Sequence, residues 1–200
     1  IHNIQKRWYM IKILAFSGSS RSSSFNDQLV KIALEGARQA GANVTHINLS
    51  DYPMPIYNGD LEDKDGMPEY AEKFKKLLIE HDGLLIASPE YNSAFSPLLK
   101  NVIDWASRAN TENEAPLVAY QGKVAAIMSA SPGGLGGIRG LVFLRMLLGN
   151  IGVTVLTEQQ CITQSFSAFS DDGNLVDDRK QKSVLRLGEN LCKTIEKLKN

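Results

Sequence analysis

The chain has little of what stapled, metal-bound or membrane-spanning proteins are built from. It holds two cysteines, Cys161 and Cys192, and no C-x-x-C pair. That excludes a disulfide scaffold and a zinc ribbon, and it suits a reducing compartment. The three histidines, His2, His46 and His81, are scattered, so no metal site is expected. No apolar run approaches the ~18 residues of a transmembrane helix. The longest, 141–148, is interrupted by Arg145. Neither charge sign dominates: 22 basic residues face 22 acidic ones in a chain of 200. A zero balance removes bulk attraction to nucleic acid and to anionic membranes, and no partner of either kind is expected. The segment before Met10 lacks the apolar centre of a signal peptide, so a cytoplasmic location is expected. Met10 stands just ahead of a clear first strand. Residues 1–9 are therefore expected to be a leader or disordered, and 10–200 one domain.

What is present is an alternation. Short apolar runs at 11–17, 44–49, 83–88, 123–129 and from 153 onward read as strands. Between them, helical stripes cover 26–40, a stretch opened by Pro68, 97–108 and the region around 141–148. The stripe after Pro68 should turn Tyr70, Phe74, Leu77 and Leu78 inward. A last stripe carries Val184, Leu187, Leu191, Ile195 and Leu198. Residues 50–67, with Pro/Gly breakers and an acidic cluster, read as a long loop. Strands alternating with helices predict an α/β fold, a doubly wound parallel sheet covered on both faces. Ligands of such sheets bind at the carboxyl ends of the strands.

Three unusual loops stand at those ends. The first, Ser17-Gly18-Ser19-Ser20-Arg21-Ser22-Ser23-Ser24-Phe25-Asn26, joins a strand to a helix N-terminus. Hydroxyls, a guanidinium and first-turn N–H groups together suit a phosphate. The ordinary alternative is a serine-rich turn with Asn26 as helix N-cap. Neither a P-loop nor a G-x-G-x-x-G pattern is present. The second, Pro89-Glu90-Tyr91-Asn92, offers an aromatic face and an amide, which suit a flat heterocycle with a polar edge; a capping turn is the plain alternative. The third runs from Ser129 through Ser131 and Gly134 to Gly137, where glycines permit close backbone approach. Gly134-x-Gly136 begins a dinucleotide pattern that fails at Arg139. Trp105 falls on a helical stripe and reads as core.

The first two loops, followed by Leu99-Lys-Asn101-x-x-Asp104-Trp105, resemble the NADPH-dependent FMN reductase family, which includes quinone, chromate and azo reductases. The resemblance runs from about Met10 to the last helix. It implies a three-layer, flavodoxin-like fold with five parallel strands in the order 2-1-3-4-5, and noncovalent FMN. It places Ser19, Arg21, Ser24, Phe25 and Asn26 around the FMN phosphate. Pro89, Glu90, Tyr91 and Asn92 would line the isoalloxazine, with Ser129, Ser131 and Gly134 along its other side. It implies homodimers or homotetramers, with the region from Tyr57 to Glu62 near a neighbour's flavin and Arg139 in subunit contacts.

The expected activity is hydride transfer from NADPH or NADH through FMN to small acceptors: quinones, flavins, azo compounds or metal oxyanions. No catalytic side chain is expected, because the flavin carries the redox chemistry. Two alternatives share the fold: a flavodoxin-type electron carrier and a noncatalytic flavin-binding interaction protein. Flavodoxins usually carry a Thr-rich phosphate loop and a strongly acidic surface; this neutral chain has neither.

Overall fold

In the computed structural model, which describes residues 9–199, five strands form one parallel sheet in the order β2-β1-β3-β4-β5. They are β1 (Lys12–Ser17), β2 (Asn43–Asn48), β3 (Gly83–Ala87), β4 (Val124–Ala130) and β5 (Thr154–Ile162). Apart from Tyr9, the expected leader lies outside the described residues. The helices are α1 (Phe25–Gln39), α2 (Gly59–Asp65), α3 (Glu69–Glu80), α4 (Pro97–Ala106), α5 (Ile138–Asn150), α6 (Ser165–Ala168) and α7 (Asp178–Lys199). The doubly wound sheet and its strand order are as expected.

The central strands are apolar throughout because both their faces are covered. Alternate residues divide between two cores. Ile13 and Ala15 of β1, with Leu85 and Ala87 of β3, meet α1 and α7. Leu14 and Phe16, with Leu84 and Ile86, meet α3, α4 and α5. Each fully buried Leu, Ile or Phe contributes about 1.5–3 kcal/mol of transfer free energy. Helices α1 and α7 touch backbone to backbone. A Cβ on Gly36 would lie 1.8 Å from the Leu185 carbonyl, and one on Gly188 1.9 Å from that of Ala33.

Two expectations need correction. The stretch 50–67 is not all loop. Asn58 caps α2 by accepting from the Asp60 N–H, and Gly66, at φ 74°, ends it. This helix buries none of its residues, so it left no apolar stripe to read. Tyr70 does not point inward; it is exposed and meets Tyr52 edge-on, while Leu77 is half-buried. The fifth strand runs on to Ile162 through an irregularity, where the step from Ala125 to Ile127 on β4 faces that from Val155 to Gln159 on β5. Arg145 fills it, donating to the Leu156 carbonyl at 2.6 Å and to Gln159 Oε1 at 3.0 Å.

Candidate functional site

The carboxyl ends of β1, β3 and β4 bring their three loops around one cavity of about 170 Å³. Of the residues expected there, Ser19, Arg21, Ser24, Phe25, Asn26, Pro89, Glu90, Tyr91 and Ser131 line it. Asn92, Ser129 and Gly134 are not among its lining. Ser23, Ala130 and Pro132 are, and each is a sequence neighbour of a residue singled out for its chemistry. A larger hollow of about 620 Å³ lies along α1 and the 171–174 turn. It mixes Lys31 and Arg38 with Glu35, Asp171 and Asp172, and it gathers no loop from a central strand end.

On the first loop, serine hydroxyls shape the backbone. Ser17 Oγ accepts from the Ser19 N–H at 3.1 Å, and Ser19 Oγ from that of Arg21 at 3.3 Å. The N-cap of α1 is Ser24, not Asn26: its Oγ accepts from the Asp27 N–H at 3.2 Å. The N–H groups of Phe25 and Asn26 open the helix, where no earlier carbonyl can serve them. Arg21 is exposed and forms no ion pair among the described residues. Backbone donors, a helix N-terminus and a free guanidinium therefore face one cavity, the donor set an oxyanion requires. Asp27 lies on the outer side of this turn, between His46 Nε2 at 2.9 Å and Lys31 Nζ at 2.8 Å. The bond from His46 holds its carboxyl below the usual range.

The Asn26 side chain does something else. Its Nδ2 donates to the Ala130 carbonyl and its Oδ1 accepts from the Ala130 N–H, both at 2.9 Å. It ties the first loop to the third and offers a ligand only its own N–H.

The second loop is a tight reversal. Tyr91 and Ala94 exchange backbone bonds of 2.8 and 3.1 Å, and both residues between them, Asn92 and Ser93, have positive φ. That is the mirror-image turn of a two-residue hairpin. Its Glu90 carboxylate is turned toward α5. It accepts from Arg139 Nε at 2.8 Å, from a second Arg139 nitrogen, and from the Gly140 N–H at 3.2 Å. Burial alone would raise the Glu90 carboxyl, but these donors outweigh it and hold it below its ordinary value. Glu90 thus serves the N-terminus of α5, whose own N-cap, Gly137, has no side chain. Gly137 is left-handed at φ 85°, and a Cβ there would stand 1.9 Å from Ser129 Oγ. Ser129 is fully buried beneath it, its hydroxyl unpaired among the described residues.

The Asn101 and Trp105 motif clamps the loop before α2. Asn101 Nδ2 and Trp105 Nε1 both donate to the Pro55 carbonyl, at 2.9 and 2.8 Å, and Asn101 Oδ1 accepts from the Tyr57 N–H at 2.8 Å. Trp105 is buried as expected. Tyr57 continues into a chain of contacts, donating to Glu62, which pairs with Arg108 at 2.8 Å.

The site suits a flavin mononucleotide on these grounds. The unpartnered donors at the start of α1 fit its phosphate, and Pro89 and Tyr91 offer a flat apolar wall a short way along the same cavity. Comparison with known proteins agrees. The family model for NADPH-dependent FMN reductases matches residues 11–167. An NADPH:quinone oxidoreductase of Arabidopsis thaliana is 34% identical over 174 residues, 84% of each chain. An NAD(P)H-dependent FMN reductase of Pseudomonas aeruginosa is 35% identical over 175 residues, 87% of this chain and 89% of its own. Among solved structures, the flavoenzyme NAD(P)H:(acceptor) oxidoreductase of Paracoccus denitrificans superposes with a TM-score of 0.78 at 27% identity, covering 94% of this chain and 98% of that one.

Proposed function

Because the chain belongs to the NADPH-dependent FMN reductase family, we propose that it is a reductase that uses NAD(P)H and FMN to reduce quinones and related small acceptors. One observation carries this: a phosphate-type donor set and a flat aromatic wall share a cavity at three strand ends. Arg21 and the N–H groups of Phe25 and Asn26 hold the phosphate, with the hydroxyls of Ser19 and Ser24 beside them. Pro89 and Tyr91 line the ring on one side and Ser131 on the other. Bound there, FMN would supply the redox chemistry between NAD(P)H and the acceptor. The chain's own contribution is to orient and hold. Asn26 fixes the third loop against the first, and Glu90 and Arg139 fix the second loop against α5. No acid or base is required, and Glu90, held ionised by its donors, is poorly suited to give a proton.

The exposed side of α5 suits a second copy of the chain. Ile138, Val142, Phe143 and Met146 stand exposed along it, with Leu135 just ahead. A contiguous apolar patch of this kind on a protein surface commonly marks an interface. Here it supports a homo-oligomer. Among the described residues no helix is long and apolar enough to cross a membrane. The test is direct. Protein loaded with FMN should oxidise NADPH or NADH with a quinone in turnover excess over flavin. Bound flavin without turnover on any acceptor would return the chain to the carrier or binding-protein classes. F143E/M146E should lower the mass seen by light scattering.

A further inference from the structure

Beside the phosphate end of the cavity stands an aromatic group that the flavin does not account for. Phe25 lines the cavity, and two rings lean on it. Phe169 stacks at 5.5 Å and 20°, and Phe166 meets it edge-on at 5.5 Å and 86°. Phe169 is half-buried, whereas Phe166 is 73% exposed. Its placement is fixed. The chain leaves β5 through Gln164, a left-handed residue at φ 50°. The next N–H, of Ser165, donates to the Ser131 carbonyl at 3.1 Å, on the third loop of the site. Ser165 itself is fully buried, so Phe166 begins where the chain turns outward. A left-handed non-glycine residue that turns the chain outward, and an exposed ring packed edge-on against Phe25 of the cavity wall, are what a prearranged stacking platform needs.

We propose that Phe166 is the platform on which the adenine ring of the NAD(P)H donor stacks, an inference that rests on the reductase reading above. A dinucleotide whose nicotinamide reaches the flavin ring must lead its adenosine half out over a rim of the cavity. Tyr91 marks the ring end of that cavity. Phe25 follows the phosphate loop directly, so Phe166 marks the other end. A small acceptor reduced at the ring has no reach to Phe166; the far half of a dinucleotide does. Every base has a face that stacks on an aromatic side chain, and the contact asks for no base-specific hydrogen bond.

The test uses the FMN-loaded protein, its F166A and F166W variants, and two donors. NADPH carries adenine; reduced nicotinamide mononucleotide does not. Rapid mixing without oxygen reads the donor concentration dependence of flavin bleaching. F166A should raise the apparent Kd for NADPH about tenfold, or about 1.4 kcal/mol, with the limiting rate unchanged. The mononucleotide should behave alike with both proteins, and F166W should restore NADPH affinity. Calorimetry with ADP-ribose, which has the adenine half and no nicotinamide, should show binding to the parent chain and its loss in F166A. An unchanged Kd for NADPH, or an equal loss with the mononucleotide, overturns the proposal. So does a fall in FMN retention in F166A, which would mean that Phe166 acts on the flavin site by supporting Phe25. If the parent chain bleaches with neither donor, the reductase reading has failed, and the ADP-ribose titration still reads the platform by itself.

Discussion

On the loop after β1, the Arg21 guanidinium and the N–H groups of Phe25 and Asn26 have no acceptor among the described residues. On the loop after β3 the charged group is fully matched: Glu90 takes donors from Arg139 and Gly140, and Tyr91 and Ala94 close on each other. The two loops line the same cavity, yet one presents free donors and the other has its carboxylate taken up by α5. The difference separates what binds from what shapes. Donors left open at a helix N-terminus wait for an anion. A carboxylate already saturated is scaffold, however close to the ligand its backbone runs.

Asn26 belongs by position to the open loop and by bonding to the scaffold, so it breaks the comparison hardest. Asn26→Ala should destabilise the FMN-free protein by about 3 kcal/mol, because two buried backbone groups of Ala130 lose their partners at once. Chemical denaturation of the apoprotein measures this. A loss confined to FMN affinity would show that Asn26 is a ligand contact after all.

Arg21 tests the open loop proper. Removing one charge-assisted contact should weaken FMN binding by about 1.5–3 kcal/mol, while leaving apoprotein stability where it was, since Arg21 is exposed and forms no ion pair among the described residues. Retention of flavin through dialysis by Arg21→Ala would place the phosphate elsewhere.

How much of this could be read in advance depends on whether a residue speaks through local pattern. The five strands and the sheet were legible, since all-apolar runs such as that of β3 imply cover on both faces. The three loops were legible because their unusual residues follow strand ends. What stayed hidden depends on contacts distant in sequence. Nothing local tells that Asn26 bonds Ala130, 104 positions away, or that Glu90 serves a helix 50 positions on. Helix α2 was hidden for another reason: it buries nothing, so its capping residues, Asn58 and Gly66, are its only signature. Phe166 lies in the four-residue α6, too short to carry a periodicity.

Glu90 sharpens the scaffold side, with a smaller effect. Glu90→Gln keeps the shape and weakens the charge-assisted bonds, so it should cost about 1–2 kcal/mol of stability at neutral pH. The sign of the pH dependence follows from the lowered carboxyl. A group whose folded pKa lies below its unfolded value, about 4.3 for Glu, stabilises fully above that value and loses its contribution as pH falls through the folded one. The gap between parent and variant should therefore be constant from pH 7 down to about 5 and close below about 4. A gap that widened in acid would mean that the Glu90 carboxyl is raised, and that its donors do not outweigh burial.

Ser129 should show the smallest change of all. It was expected along the flavin, yet its side chain is fully buried under Gly137 and its hydroxyl has no partner among the described residues. Replacing an unpaired buried hydroxyl by a methyl removes a desolvated group that gains nothing in return. Ser129→Ala should therefore leave stability within about 0.5 kcal/mol of the parent chain, or raise it slightly. It should leave FMN affinity unchanged as well, because the side chain does not line the cavity. The two measurements separate two meanings of an orphaned polar atom. If affinity falls while apoprotein stability holds, the hydroxyl is an open donor like those at the start of α1, and the boundary between binding and scaffold lies one strand deeper, in β4. If neither moves, that boundary lies at the surface of the third loop.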